Sequence, residues 1–337
     1  LVSNVRDALL DFVIGPADSA VSVLPLSHIF ERMAGHFMLI SRGVSVAYAE
    51  SVDTFAADLA AVRPTIVFAV PRLFERIYAR VIDAAVAGGA VKRLLFFQAR
   101  DVALRWARGL VSGTKASPWL ALQHGLYDRL VYAKLRARTG GRIRFFVSGG
   151  APLNAEIAEF FLGAGLPVLE GYGLTETSPV TAVNRPARNK PGTVGPPIAN
   201  VTVHIADDGE ILVQGPGVMK GYFHLDGETA AALEGGWFHT GDIGHLDTDG
   251  HLVITDRKKD LLVTAGGKKV APQPIENALK TSKYIAEAVL IGDKRAYVTA
   301  LIVPNFDQLE AYARYKGISF VERRDLVKHP QVVDLIR

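Results

Sequence analysis

Between Glu170 and Pro179 the chain reads Glu-Gly-Tyr-Gly-Leu-Thr-Glu-Thr-Ser-Pro. Gly171 and Gly173 allow a backbone turn at the end of a strand, where open α/β sheets hold their ligands. Tyr172 offers a flat ring for stacking, Thr175 a hydroxyl for a phosphate oxygen, and Glu176 a hard carboxylate of the kind that suits Mg2+. Each feature alone is ordinary, and a Gly-x-Gly turn with a nearby Glu is commonly structural, so only their conjunction discriminates. A second segment, His239-Thr240-Gly241-Asp242-Ile243-Gly244, falls at the start of a β-hairpin. Ionised Asp242 is an acceptor with two oxygens and could bind two ribose hydroxyls, or it could stabilise its own loop as an Asx-turn. A third runs from Thr255 to Asp260 and is followed by Gly266-Gly267-Lys268-Lys269. Its cations Arg257, Lys258, Lys259, Lys268 and Lys269 could neutralise phosphates around a hinge, or belong to a solvated linker.

The elements that must position these groups change character along the chain. Ser19 to Leu24, Val44 to Tyr48 and Thr65 to Val70 read as short strands, with a helical stretch from Phe30 to Ile40 between the first two. Such alternation predicts parallel strands with helical crossovers. Leu73 to Arg138 is helical in pattern, broken at Gly88-Gly89 and between Ser112 and Pro118. A strand at Ile143 to Val147 runs into Ser148-Gly149-Gly150-Ala151-Pro152, and the next helix has Asn154 as its cap and Gly163 with Gly165 as its stop. Leu166 to Glu170 is the next strand and Gly171-Tyr172-Gly173 its loop. After Pro191, turn signals at Asp207-Asp208-Gly209 and Asp247 to Gly250 point to antiparallel β structure. The fold class is therefore α/β: a large N-terminal domain with an antiparallel β portion, residues 1–256, followed by a small α+β domain, residues 257–337.

Composition removes several classes. The 337 residues, 49% hydrophobic and 21% charged, are globular in balance and fit two domains. Lys plus Arg exceed Asp plus Glu by only 38 to 34, so the total charge gives no reason to expect a nucleic-acid partner. A local basic stripe, Lys92, Arg93, Arg100, Arg105 and Arg108, is interleaved with apolar residues as on an amphipathic helix. Its plain reading is a solvated face, and its sharper one is peripheral contact with an anionic membrane surface. With no Cys, disulfides, thiolate metal sites and a cysteine nucleophile are excluded, and a reducing cytoplasm is compatible. No apolar run reaches the ~18 residues of a bilayer span. The opening LVSNVRDALLDF has neither a signal pattern nor an initiator Met and reads as the interior of a longer protein.

The segments GYGLTETSP, HTGDIG and TDRKKDLLVTAGGKKVAPQPIE, in this order, resemble core motifs of the adenylate-forming superfamily of acyl-CoA synthetases, luciferases and peptide-synthetase adenylation domains. LPLSHIFER at 24–32, Val70-Pro71-Arg72 and SGGAPL at 148–153 are similar to the long-chain fatty acyl-CoA synthetase branch. The resemblance implies that Gly149, Gly150, Ala151 and Tyr172, with Gly171 and Gly173 beside it, frame the adenine and part of the acyl site. It implies that Thr175 touches phosphate, Glu176 holds Mg2+, and Asp242 and Arg257 bind the ribose. His28 and Gly150 would border the acyl chain, Lys259 would be the hinge, and Gly266 and Gly267 would line the pantetheine tunnel. ATP, CoA and a fatty acid would be the substrates, the location cytoplasmic or peripheral at the inner membrane face. Two departures from the family pattern stand out. A phosphate loop of the form TSGTTGxPKG does not occur, although LVSNV resembles the family's stretch just after that loop, and the C-terminal catalytic lysine does not occur either. The rival expectations are a sister enzyme that loads a carrier protein, a non-catalytic nucleotide- or acyl-binding module, and a membrane-associated interaction protein built around the basic helix.

Overall fold

The short β-branched and aromatic runs of the first half assemble into a six-stranded sheet in the computed structural model, which describes residues 1–337. Strands β1 (Ser19–Ser22), β2 (Ser45–Tyr48), β3 (Ile66–Ala69), β4 (Phe145–Ser148), β5 (Val168–Gly173) and β6 (Val180–Val183) lie in the order β2-β1-β3-β4-β5-β6. The first five are parallel, as the strand–helix alternation predicts, and β6 runs antiparallel to β5 at the edge. Both faces are covered, so neighbours along a strand alternate between two cores. Val67 and Phe146 face Phe74, Phe96, Phe160 and Phe161. Ile66, Phe68 and Phe145 face Met33, Met38, Leu39 and Phe12.

The first of these faces is built by the helices Pro71–Ala87, Ala90–Ser112, Pro118–Tyr127 and Ala155–Gly163. The breaks between the first three fall where Gly88-Gly89 and the 112–118 segment predict them. Helix Ala155–Gly163 starts as expected, with Asn154 Oδ1 accepting from the Glu156 and Ile157 amides at 2.9 and 3.2 Å. Gly163 does more than stop it. A Cβ there would stand 2.1 Å from the Ala103 carbonyl oxygen, so the two helix backbones touch, with Ala99, Ala103 and Ala107 fully buried along the contact side.

The basic stripe lies on helix Ala90–Ser112. Arg100 and Arg108 pair with Glu156 and Glu159 of the neighbouring helix at 2.7 and 3.0 Å, so two of the five cations have carboxylate partners at the surface.

The antiparallel portion is a sheet of order β10-β9-β8-β7, made of β7 (Thr202–Ile205), β8 (Glu210–Gln214), β9 (Phe238–Leu246) and β10 (Leu252–Arg257). Residues 1–240 with 244–254 form one compact unit, and residues 241–243 with 255–337 form a second. The second holds the two-residue strands β11 (Leu262–Val263) and β12 (Lys269–Val270), the helix Pro272–Leu279, the antiparallel pair β13 (Ile285–Ile291) and β14 (Thr299–Pro304), and the helix Phe306–Lys316. Leu309, Ala313, Leu326 and Val332 are its fully buried core.

Candidate functional site

Four of the segments singled out in the sequence leave the same edge of the parallel sheet. LPLSHIFER follows β1, Val70-Pro71-Arg72 follows β3, SGGAPL follows β4, and the Gly-Tyr-Gly run ends β5. This is the carboxyl edge, where open α/β sheets bind ligands. Contacts tie the segments together. The Phe30 ring lies so close to Gly149 that a Cβ there would sit 3.1 Å from its Cζ. Gly150 adopts φ +86°, a backbone that favours glycine. His28 is exposed on the preceding turn, its Nδ1 accepting from the Phe30 amide at 3.2 Å.

Gly171-Tyr172-Gly173 is not the loop expected. It is strand, paired antiparallel with β6 across a bulge between Tyr172 and Gly173. Neither glycine has the positive φ of a turn. Gly173 is required by proximity instead, since a Cβ on it would fall 1.8 Å from the Pro179 carbonyl oxygen, while at Gly171 a Cβ would be close-packed, 3.3 Å from Val183 Cγ2. The turn comes later, in the 3-10 segment Thr175–Thr177. There the Leu174 amide donates to Thr177 Oγ1 at 3.0 Å, which leaves Thr175 exposed and Glu176 half-buried.

Sequence reasoning missed the groups that hold this turn. Tyr222 Oη donates to Glu176 Oε1 at 3.0 Å, and the Met219 amide donates to the Glu176 carbonyl at 2.7 Å. From the first helix, Asn4 exchanges two bonds with the Val180 backbone, at 2.8 and 3.1 Å. Burial, then the Glu176 hydrogen bond, pushes the Tyr222 hydroxyl above its ordinary pKa.

Two buried carboxylates brace the site from behind. Glu170, 5% exposed, accepts from the Leu153 amide at 3.3 Å and the Gly192 amide at 3.1 Å, which fastens the SGGAPL loop to β5. Burial raises it to about 7 against those two bonds. Glu31, 1% exposed, takes a 2.5 Å hydrogen bond from Ser22 Oγ at the end of β1, and burial raises it to about 7 as well. It opens a π-helical stretch, Glu31–Met38, and its carboxyl occupies the space a side chain at Gly35 would need. A signal for both existed: a lone Glu inside an otherwise apolar strand end or helix start.

In the second unit, Asp242 is 6% exposed and lies on β9, the strand that leads into the β9–β10 hairpin. Its Oδ1 stands 3.4 Å from Arg257 Nε on β10, so the expected ribose pair is adjacent. Lys259 sits in the turn after β10, closed by the Asp260 amide on the Arg257 carbonyl at 3.0 Å. Gly266 and Gly267 form the exposed tip between β11 and β12, with Gly267 at φ +78°. Asp256, which burial raises, accepts from the Gln273 amide at 3.2 Å and so caps helix Pro272–Leu279 from a distance.

Nowhere do three or more His, Asp or Glu residues converge to hold an ion. Glu176 fits the other mode of magnesium binding, in which one carboxylate and the substrate's phosphates share the ion with water. Tyr222 engages one of its oxygens and leaves Oε2 for that purpose.

A parallel sheet with loops gathered at its carboxyl edge, a half-buried carboxylate on a turn there and a small α+β unit after it describe an α/β protein of the class that takes its ligand at that edge. The chain belongs to the AMP-binding enzyme family, which matches residues 1–223, and residues 259–322 match the AMP-binding enzyme C-terminal domain. It is similar to the long-chain-fatty-acid–CoA ligase FadD15 of Mycobacterium bovis, 42% identical over 86% of this chain and 48% of that one. It is also similar to the peroxisomal long chain acyl-CoA synthetase 6 of Arabidopsis thaliana, 35% identical over 98% of this chain and 48% of that one. Among solved structures, ATP-bound MatB from Rhodopseudomonas palustris is similar, with TM-score 0.65 and 28% identity over 90% of this chain and 54% of that one. The chain spans about half the length of the relatives it matches. No helix is long and apolar enough to cross a membrane.

Proposed function

We propose that the protein carrying this chain activates a long-chain fatty acid with ATP and transfers it to CoA, giving acyl-CoA, AMP and pyrophosphate. The observation that carries this reading is the gathering of the SGGAPL loop, the Gly-Tyr-Gly strand and the Glu176 turn at one sheet edge, in a chain 42% identical to a relative named for that reaction. In this reading the fatty carboxylate attacks the α-phosphorus of ATP, pyrophosphate leaves, and the CoA sulfur then displaces AMP from the acyl-adenylate. Tyr172 and the Gly149-Gly150-Ala151 backbone bound the adenine, Thr175 touches phosphate, and Asp242 with Arg257 binds the ribose. Glu176 holds Mg2+, which when bound offsets the charge that develops on phosphate oxygens. Residues 1–256 carry the acyl and ATP sites, and residues 257–337 turn about Lys259 to bring Gly266 and Gly267 to the pantetheine arm. His28 and Gly150 border the acyl chain.

The reaction is proposed for the cytoplasm. Contact with an inner membrane face would use Lys92, Arg93 and Arg105 together with the exposed side of Arg108.

The test is a two-stage assay of the complete protein. Palmitate-dependent pyrophosphate release without CoA reports adenylation, and subsequent discharge by CoA reports thioester formation. Absence of both refutes the proposal. An acyl-adenylate that CoA leaves intact would point to a carrier protein as acceptor.

A further inference from the structure

The segment Gly217 to Tyr222, which supplies the Met219 and Tyr222 contacts to the Glu176 turn, is laid against that turn at three successive points. A Cβ on Gly217 would fall 2.5 Å from the Thr177 carbonyl oxygen, so only glycine lets the two backbones come this close. The Met219 amide then bonds the Glu176 carbonyl at 2.7 Å, and the Tyr222 hydroxyl bonds the Glu176 carboxylate at 3.0 Å. Tyr222 is itself anchored. Its amide donates to Thr229 Oγ1 at 2.9 Å, and that hydroxyl donates onward to the Leu225 carbonyl at 2.8 Å. Gly221 has no Cβ because one would sit 2.7 Å from Thr229 Cγ2.

We infer that Tyr222 is a positioning residue for the metal-binding carboxylate: its hydroxyl fixes Glu176 in the one rotamer that presents Oε2 to a divalent cation bound with the nucleotide. This rests on the reading of Glu176 as the metal ligand and goes beyond it by naming what orients the ligand. A flexible Glu on an exposed turn would lose rotamer entropy each time it met the ion. Tethered at Oε1 by a hydroxyl that the Thr229 clamp holds in place, it is ordered before the ion arrives.

The experiment titrates Mn2+ into the complete protein in the presence of ATP and follows free Mn2+ by electron paramagnetic resonance. Partners that orient a metal ligand change affinity by 10- to 100-fold when removed, and this tether is only half-buried, so Tyr222→Phe is expected to raise half-saturating Mn2+ roughly tenfold. Thr229→Val keeps its shape and loses the clamp, so it should raise it by less. In turnover, Tyr222→Phe should raise the Mg2+ requirement while kcat at saturating Mg2+ stays near wild type. Wild-type Mn2+ affinity in Tyr222→Phe, alongside lost affinity in Glu176→Gln, overturns the positioning role and leaves the metal ligand intact. Unchanged affinity in Glu176→Gln overturns the ligand reading itself, and this inference with it.

Discussion

Glu31→Gln isolates the cost of keeping one carboxyl in the core. The side chain is 1% exposed, and Ser22 satisfies only Oε1 while Oε2 has no partner, so burial dominates and raises the group from 4.5 to about 7. A carboxyl whose folded pKa lies above its unfolded one stabilises the fold fully below the unfolded value. That contribution falls as pH rises through the interval and is gone above the folded value. The interval here is 4.5 to about 7. At 1.36 kcal/mol per unit, the whole effect is about 3 kcal/mol, an order-of-magnitude figure. Other groups titrate nearby: His251, held neutral by burial, loses stability as pH falls, the opposite sign. Asp18, Asp128 and Asp247, all lowered, act only below the ordinary carboxylate range. The useful quantity is therefore the difference between wild type and Glu31→Gln, since an isosteric amide keeps the Ser22 bond and does not titrate. Urea unfolding at pH 5, 6, 7 and 8, followed by the fluorescence of Trp106, Trp119 and Trp237, all in the first unit, measures it. Between pH 5 and 8, a window that opens just above the unfolded value, the wild type should lose about 2.5 kcal/mol more than the variant. Parallel pH profiles for the two proteins would show that Glu31 ionises at its ordinary pKa and that the burial argument is wrong.

The remaining expectations rest on single contacts. Glu170→Gln should flatten the same pH window independently, because Glu170 aligns with Ser148 and Ala69 on the opposite sheet face from Ser22, and the double variant should be additive in urea unfolding. Gly163→Ala drives a methyl onto the Ala103 carbonyl and should cost about 1–3 kcal/mol or more, read as a lower urea midpoint at constant m-value. Glu176→Ala should abolish acyl-adenylate formation in the complete protein with an unchanged circular dichroism spectrum; normal pyrophosphate release from it would remove Glu176 from the chemistry. Lys259→Pro, which fixes φ in the turn after β10, should impair thioester formation more than adenylation, and equal loss of both steps would exclude a hinge there.

Much of the fold was legible because burial on two faces of a parallel sheet leaves a strong local record. Ile66 to Ala69 is apolar at every position, as a strand covered on both sides must be, and Pro71 marks where it gives way to helix. Asn154, Gly88-Gly89 and the tight-turn residues at 247–250 act on backbone within a few residues of themselves, so their effect depends little on what packs around them. Glycines were the opposite case. The sequence shows that residues 171, 173 and 163 lack a side chain but not why, and a turn is the simplest local explanation. The structure gives close approach instead: the Pro179 and Ala103 backbones occupy the space at Gly173 and Gly163, and the Val183 side chain crowds it at Gly171.

The same distinction separates the candidate site residues that lie in short motifs from the groups that hold them. Tyr172, Glu176, Asp242 and Arg257 sit within short motifs whose residue types suggest chemistry directly. Tyr222 lies 46 positions from its partner, Asn4 lies 176 positions from Val180, and Glu170 reaches Gly192 across 22. No periodicity links such pairs, because they are joined only when the sheet edge closes. Their work is also of another kind. A carboxylate on a half-buried 3-10 turn has the right chemistry for a divalent ion but several rotamers, and its usefulness depends on neighbours that remove all but one. Motif residues thus state which reaction is within reach, while the distant tethers determine whether the groups are held well enough to perform it.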